Sequence, residues 1–321
     1  MTSSFQPLPN PDTAAGSPRK VGVEIEFAGL SEAEAADLAR AELGGSVQET
    51  GQRKLSVTDT RLGTIDIVLD TALRRLSDDG LVDAGLDAAR GLIPVEIVTE
   101  PLDPGDLPTL DAFRDTLRQA GAVGTRDGLL LGFGVHLNIE VVAPHAPHTL
   151  ATLRAFALLE EHLRASAPID VTRRVMPFVA PWPRAFTDAL LAEGADLSFD
   201  RLRALYARHC NSRNFALDLL PLLAHADENR FASLFPNQTN TKGRPAYHFR
   251  LPDCRIDDPN WSLAQEWRRW WRVETVASQP EVMAALSEAY STRDHRALGD
   301  RTTWANTCDE ILSDVLADTA K

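Results

Sequence analysis

Acidic, imidazole and guanidinium side chains recur at every second residue in several short stretches of this chain. Glu24 and Glu26 alternate with Val23, Ile25 and Phe27, Asp66 with Ile65 and Ile67, and Glu96 with Val95 and Ile97. Later, His136, Asn138 and Glu140 alternate with Val135, Leu137, Ile139 and Val141, and His248 and Arg250 with Tyr247, Phe249 and Leu251. A period of two puts each polar set on one face of an extended strand. Carboxylates crowded on one face repel across strands unless a cation sits between them. Hard oxygen donors of this kind suit Mg2+, held by a few carboxylates, water and phosphate oxygens. Gly22 lies on the same face as Glu24, where a missing side chain leaves room for a ligand. Alternation alone also describes a sheet with one dry and one wet face, and Glu140, near a strand end, reads as solvated.

The elements that must position these groups follow from the same patterns. Strands are expected at Val21–Phe27, Ser46–Glu49, Lys54–Thr58, Thr64–Asp70, around Glu96, over Gly128–Val142 and at Ala246–Leu251. Ser31 and Glu34 have the spacing of a capping box opening a helix. Further helices are expected at Asp79–Gly91, Pro104–Ala120, Thr149–Ala165, Trp182–Glu193, Phe199–His209, Phe215–Leu223, Trp261–Tyr290 and Thr303–Ala317. Strands come mainly first and helices later, without a βαβα rhythm, which predicts an α+β fold with a mostly antiparallel sheet. Residues 1–19, rich in Pro, Ser and Gly, read as a flexible tail; residues 20–321 read as a single domain with a helical C-terminal half.

The 321 residues are 44% hydrophobic and 25% charged, ordinary for a soluble globular chain long enough to bury a sizeable core. A net charge of −13 argues against a nucleic-acid surface. All but four of the 33 basic residues are arginine, the exceptions being Lys20, Lys54, Lys242 and Lys321. Three widely separated cysteines, Cys210, Cys254 and Cys308, give neither a disulfide framework nor a zinc pair, and a reducing cytoplasm fits them. No apolar run approaches a membrane span. No phosphate loop, H-E-x-x-H helix or G-x-S-x-G elbow occurs. The H-x-x-H of His145 and His148 sits among prolines and reads as a surface loop. Trp261, Trp267, Trp270 and Trp271 at helical spacing read as core.

The string VGVEIEF resembles the Gly-x-Glu-x-Glu opening strand of carboxylate–amine ligases related to glutamate–cysteine ligase and glutamine synthetase. More narrowly, the chain is similar to a bacterial amidoligase family, through VTDTRLGTIDIVLD, PVEIVTEPL, GFGVHLNIE and AYHFRLPD in that order. The resemblance implies a curved, mostly antiparallel sheet with helices on its outer face. It also implies ATP and Mg2+, or Mn2+, as cofactors, with small-molecule or peptide carboxylates and amines as substrates and oligomers a common state. Glu24 and Glu26 match the metal-binding glutamates, Asp59 or Asp66 the next acid, and Glu96 the acid near metal and substrate. His136, with Asn138, matches the strand whose histidine contacts nucleotide phosphate or metal. Arg250 matches the arginine that stabilises the transferred phosphoryl group, and Lys242, in the loop before it, is a further phosphate contact. Two positions depart from the pattern: His248 stands where a metal-binding Glu is usual, and Asp218 where an Asn is. Imidazole suits zinc or manganese better than magnesium. The implied function is ATP-dependent amide-bond formation through an acyl phosphate. A non-catalytic nucleotide- or peptide-binding member of the fold, or a metal-dependent hydrolase, would use similar side chains.

Overall fold

The computed structural model describes residues 4–51, 54–69, 94–125, 132–166, 179–210, 212–295 and 299–318. The helix expected at Asp79–Gly91 lies outside them, as do residues 128–131 of the long strand expected at Gly128–Val142.

The strands form a single sheet built around β1 (Val21–Phe27). In chain order the others are β2 (Ser46–Gly51), β3 (Lys54–Thr60), β4 (Gly63–Leu69), β5 (Val95–Thr99), β6 (Val135–Glu140), β7 (Leu217–Asp218) and β8 (Ala246–Phe249). Their spatial order is β2-β3-β4-β5-β1-β6-β8-β7, and every neighbouring pair is antiparallel. The early strands are thus one half of the sheet and the late ones close the other edge. Strand β1 alternates as its sequence requires, with Val21, Val23, Ile25 and Phe27 buried and Gly22, Glu24 and Glu26 half-buried on the other face.

Ten α-helices occur among the described residues: α1 (Glu32–Leu43), α2 (Leu107–Gln119), α3 (Pro147–Ser166), α4 (Arg184–Ala192), α5 (Phe199–His209), α6 (Leu220–Ala226), α7 (Glu228–Leu234), α8 (Leu263–Ala277), α9 (Pro280–Ser291) and α10 (Asp300–Asp318). The Ser31–Glu34 capping box opens α1. Helix α8 seats Trp270 against Tyr247 and Phe249 of β8, at ring-centroid distances of 4.9 and 5.3 Å, and α3 sets Phe156 against Phe249. Of the four tryptophans expected in the core, Trp261, Trp267 and Trp270 are buried and Trp271 is only half-buried. These contacts cover one face of the sheet and leave the face of Glu24 and His136 to form the site.

Three expectations are corrected. The helix expected over Trp261–Tyr290 is two helices, because Pro280 cannot donate to the preceding turn and instead opens α9. The stretch Phe215–Leu223 is not one helix. Leu217 and Asp218 pair with the edge of β8, and the Asp218 carboxylate then accepts the Leu220 N–H at 2.9 Å where α6 starts.

The third concerns the segment before β1. In place of a loose tail, Leu8 is buried, Ala14 N–H bonds to Val142 O at 2.8 Å, and Trp267 and Trp271 donate their indole N–H groups to the carbonyls of Gln6 and Pro7. Its anchor is Arg19, whose guanidinium makes a fork-to-fork pair with Glu274 of α8 (2.7 Å on both sides) and also holds Asn10 O. Tail-like composition is overridden by indole donors on α8 that the sequence places far away.

Candidate metal and substrate site

The register of the sheet decides which polar groups meet. Glu24 lies opposite His136 of β6, Glu26 opposite Glu96 of β5, Gly22 opposite Asn138, Asn138 opposite His248 of β8, and His248 opposite Asp218 of β7. Directly opposed Cβ atoms sit about 5 Å apart, so opposed side chains are neighbours. Carboxylates from β1 and β5, distant in the chain, are therefore brought together: alternation put both on the polar face, and strand pairing made them neighbours.

Glu24 is the centre. Its Oε2 lies 2.7 Å from Nδ1 of His136, and its Oε1 accepts Nδ2 of Asn138 at 3.0 Å, with Nη1 of Arg244 at 3.6 Å. Burial alone would raise this carboxyl's pKa. The hydrogen bond and charge of His136, with the Asn138 bond, outweigh burial and hold it well below the usual carboxylate range. Glu26 accepts the Gly134 backbone N–H at 2.7 Å and stands 3.7 Å from Nε2 of His136.

Two sets of donor atoms converge. Glu24, His136 and His248 each bring one within 4.8 Å of the others, and so do Glu26, Glu96 and His136. His248 is buried, its ring 5.3 Å from that of His136, and its Nε2 has no hydrogen-bond partner among the described residues. Burial pushes its pKa well below the ordinary histidine value, so the ring is neutral at pH 7 and offers a lone pair. Beyond it, Asp218 is fully buried, and burial pushes its carboxyl up to about 6. Arg250 follows His248 on the same strand face and donates Nη1 to Arg213 O at 2.7 Å.

A cavity of about 550 Å3 opens over Gly22, Glu24, Asn138 and Val98, with Glu140 and Arg244 at its walls. A Cβ on Gly22 would meet Asn138 Cβ at 3.5 Å, so the bare glycine keeps the cavity floor flat. Glu140 is not simply solvated: its carboxylate accepts the Lys20 backbone N–H at 2.9 Å.

Some expected members stand elsewhere. Asp66 lies on β4, two strands from β1 and so about 10 Å away; its carboxylate is held by Nζ of Lys54 and Oγ of Ser56, both at 2.6 Å. Asp59 is exposed at the irregular end of β3 with φ 58°. Neither joins the two donor sets. Lys242 is exposed in the loop before β8 and does not line the cavity; the loop's cation that reaches Glu24 is Arg244. Both residues were visible in TNTKGRP, but nothing in the string says which one the Pro245 turn aims inward. That Glu24, Glu26, Glu96, His136 and His248 share one polar face was therefore legible in the sequence, while the approach of Arg244 to Glu24 was not.

Residues 17–272 match the model of a family described as putative amidoligase enzyme, and the chain belongs to that family. A search of curated proteins found no relative. No described helix is long and apolar enough to cross a membrane.

Proposed function

We propose that the protein is an ATP- and Mg2+-dependent carboxylate–amine ligase. It joins an amino acid or peptide carboxylate to an amine through an acyl phosphate, on a scaffold of the glutamine synthetase and glutamate–cysteine ligase kind, in the cytoplasm. One observation carries this reading: Glu26 and Glu96 oppose each other in register beside His136 on a sheet face that also floors a cavity. Membership of an amidoligase family supports it.

The residues fit the cofactors by their chemistry. Two carboxylates facing each other across neighbouring strands are unfavourable without a cation, and their oxygens suit Mg2+. Bound there, Mg2+ would neutralise phosphate charge during phosphoryl transfer. A carboxylate does not condense with an amine at neutral pH until one oxygen becomes a good leaving group, which phosphorylation supplies. Arg250, beside His248, presents a planar donor fork for negative charge developing on the phosphoryl oxygens. Arg244, at the cavity wall, can meet a substrate carboxylate while remaining near Glu24. Asn138 fixes the rotamer of Glu24 by donating to one oxygen and leaving the other for His136.

Calorimetric titration with Mg-ATP, followed by assay of ADP and phosphate release with mixed amino acids and peptides, tests the reading. Saturable nucleotide binding, lost in Glu26→Ala and Glu96→Ala, is the expected result. Nucleotide affinity unchanged in both variants would refute it. His248 and Asp218 in place of the usual side chains favour a second reading, a binding protein without turnover; it predicts nucleotide affinity with no ADP released under any substrate mixture.

A further inference from the structure

The donor set around Glu24 differs in kind from the pair Glu26–Glu96. It contains two imidazoles and one carboxylate, and its third member, His248, carries a buried Nε2 with no partner among the described residues. A buried polar atom is normally paired, and one left unpaired points to a missing ligand. His136 presents Nδ1 to Glu24 at 2.7 Å and Nε2 to Glu26 at 3.7 Å, so the two donor sets face different nitrogens of one ring, and Nδ1 is the one on the Glu24 side. The two rings lie 5.3 Å apart with their planes tilted by 51°, so they converge without stacking.

We propose that Glu24, His136 and His248 form a binding site for a single first-row transition-metal dication, taking Zn2+ in preference to Mn2+ and Mn2+ in preference to Mg2+. The site is distinct from the oxygen-rich Glu26–Glu96 pair, with Nε2 of His248 as a ligand. Neutral imidazole is a borderline donor that suits zinc and its neighbours, whereas Mg2+ demands oxygen. Two histidines and one carboxylate are a donor set that zinc accepts with a position left open. Asn138, donating to Oε1 of Glu24, is the outer partner that orients the carboxylate. Glutamate at position 248 would make the set oxygen-rich, so His248 is the residue that determines the metal. The inference goes beyond the ligase reading and survives its failure, because metal binding is read without nucleotide.

The test is calorimetric titration of the metal-stripped full-length protein with ZnCl2, MnCl2 and MgCl2, with Co2+ absorption as a spectroscopic probe. One Zn2+ per chain is expected, with Mn2+ weaker by at least about tenfold and Mg2+ weaker again. His248→Glu should lower Zn2+ affinity by at least about tenfold, raise Mg2+ affinity and alter the Co2+ spectrum. His248→Gln and Glu24→Gln should each lose Zn2+ without gaining Mg2+. Mg2+ binding the wild type as tightly as Zn2+ would overturn the proposal. So would Zn2+ binding that persists in His248→Gln and Glu24→Gln, since the ion would then sit on other histidines. Circular dichroism checks that the variants fold, and if they do not, the wild-type order of affinities decides alone. Zn2+ binding without ADP release leaves this site standing and removes the ligase; ADP release with Mg2+ preferred at this site does the reverse.

Discussion

Glu24 and Glu274 are two acids held on opposite sides of the same sheet, both with carboxyls below the usual range, and they have opposite uses. Glu274 has a side-chain exposure of 0% and meets Arg19 through two 2.7 Å bonds, Trp270 Nε1 at 2.8 Å and His148 Nε2 at 3.2 Å. Burial would raise its pKa, but Arg19 and then His148 outweigh that. Its partners include a guanidinium that stays charged at any working pH, so the group is closed. Glu24 instead leans on a histidine, an amide and a more distant arginine, beside a cavity and beside an imidazole nitrogen with no partner among the described residues. A carboxylate saturated by permanent partners holds the chain together, while one with exchangeable partners is free to take a ligand.

Four measurements would break or sharpen that contrast. The largest effect belongs to Glu274→Gln, which strands Arg19 in the core and should cost about 3–5 kcal/mol in denaturant unfolding. It should also release the segment before β1 to proteolysis. Glu24→Gln should cost less, about 1.5–3 kcal/mol, because its close bonds are to an imidazole and an amide and its one guanidinium neighbour, Arg244, stands 3.6 Å off at the cavity wall; equal losses in the two variants would erase the distinction.

Next in size is metal linkage. A dication at a hundred times its Kd should stabilise the wild type by about 2.7 kcal/mol, seen as a rise in Tm, and should not stabilise Glu24→Gln.

The third is pH dependence. Because folding lowers the Glu274 pKa from 4.5, its contribution is fully present above pH 4.5 and fades as pH falls through the lower folded value. Glu274→Gln should therefore show a flatter loss of stability below pH 4.5 than the wild type. An unchanged acid limb would mean that other carboxylates dominate it.

The smallest effect has the opposite sign. Glu96→Gln, tested without divalent cation, should stabilise the protein by up to about 1 kcal/mol by removing the repulsion from Glu26, and added Mg2+ should cancel the advantage.

Much of this site could be read from the chain because strand alternation is a local property. Val21–Phe27 buries its aliphatic residues and turns Glu24 and Glu26 the other way wherever the strand sits, and the same period of two puts His136 with Asn138, and His248, on that polar face. Asp66 obeys the same alternation and shares the polar face, yet it stands two strands off and is spent on Lys54. The face was local information; the neighbour was not. Arg19 shows the converse, a residue in tail-like sequence whose partner lies on α8.

What the sequence determined by itself is the periodicity, and with it the dry and polar faces, the capping box of α1 and the types of donor available for metal and phosphate. Strand order and register were decided only in the tertiary structure, because backbone hydrogen bonds between strands carry no side-chain identity and many pairings satisfy them equally. The core selects among those pairings, and that choice sets Glu26 against Glu96, His136 against Glu24, and the buried ring of His248 beside His136.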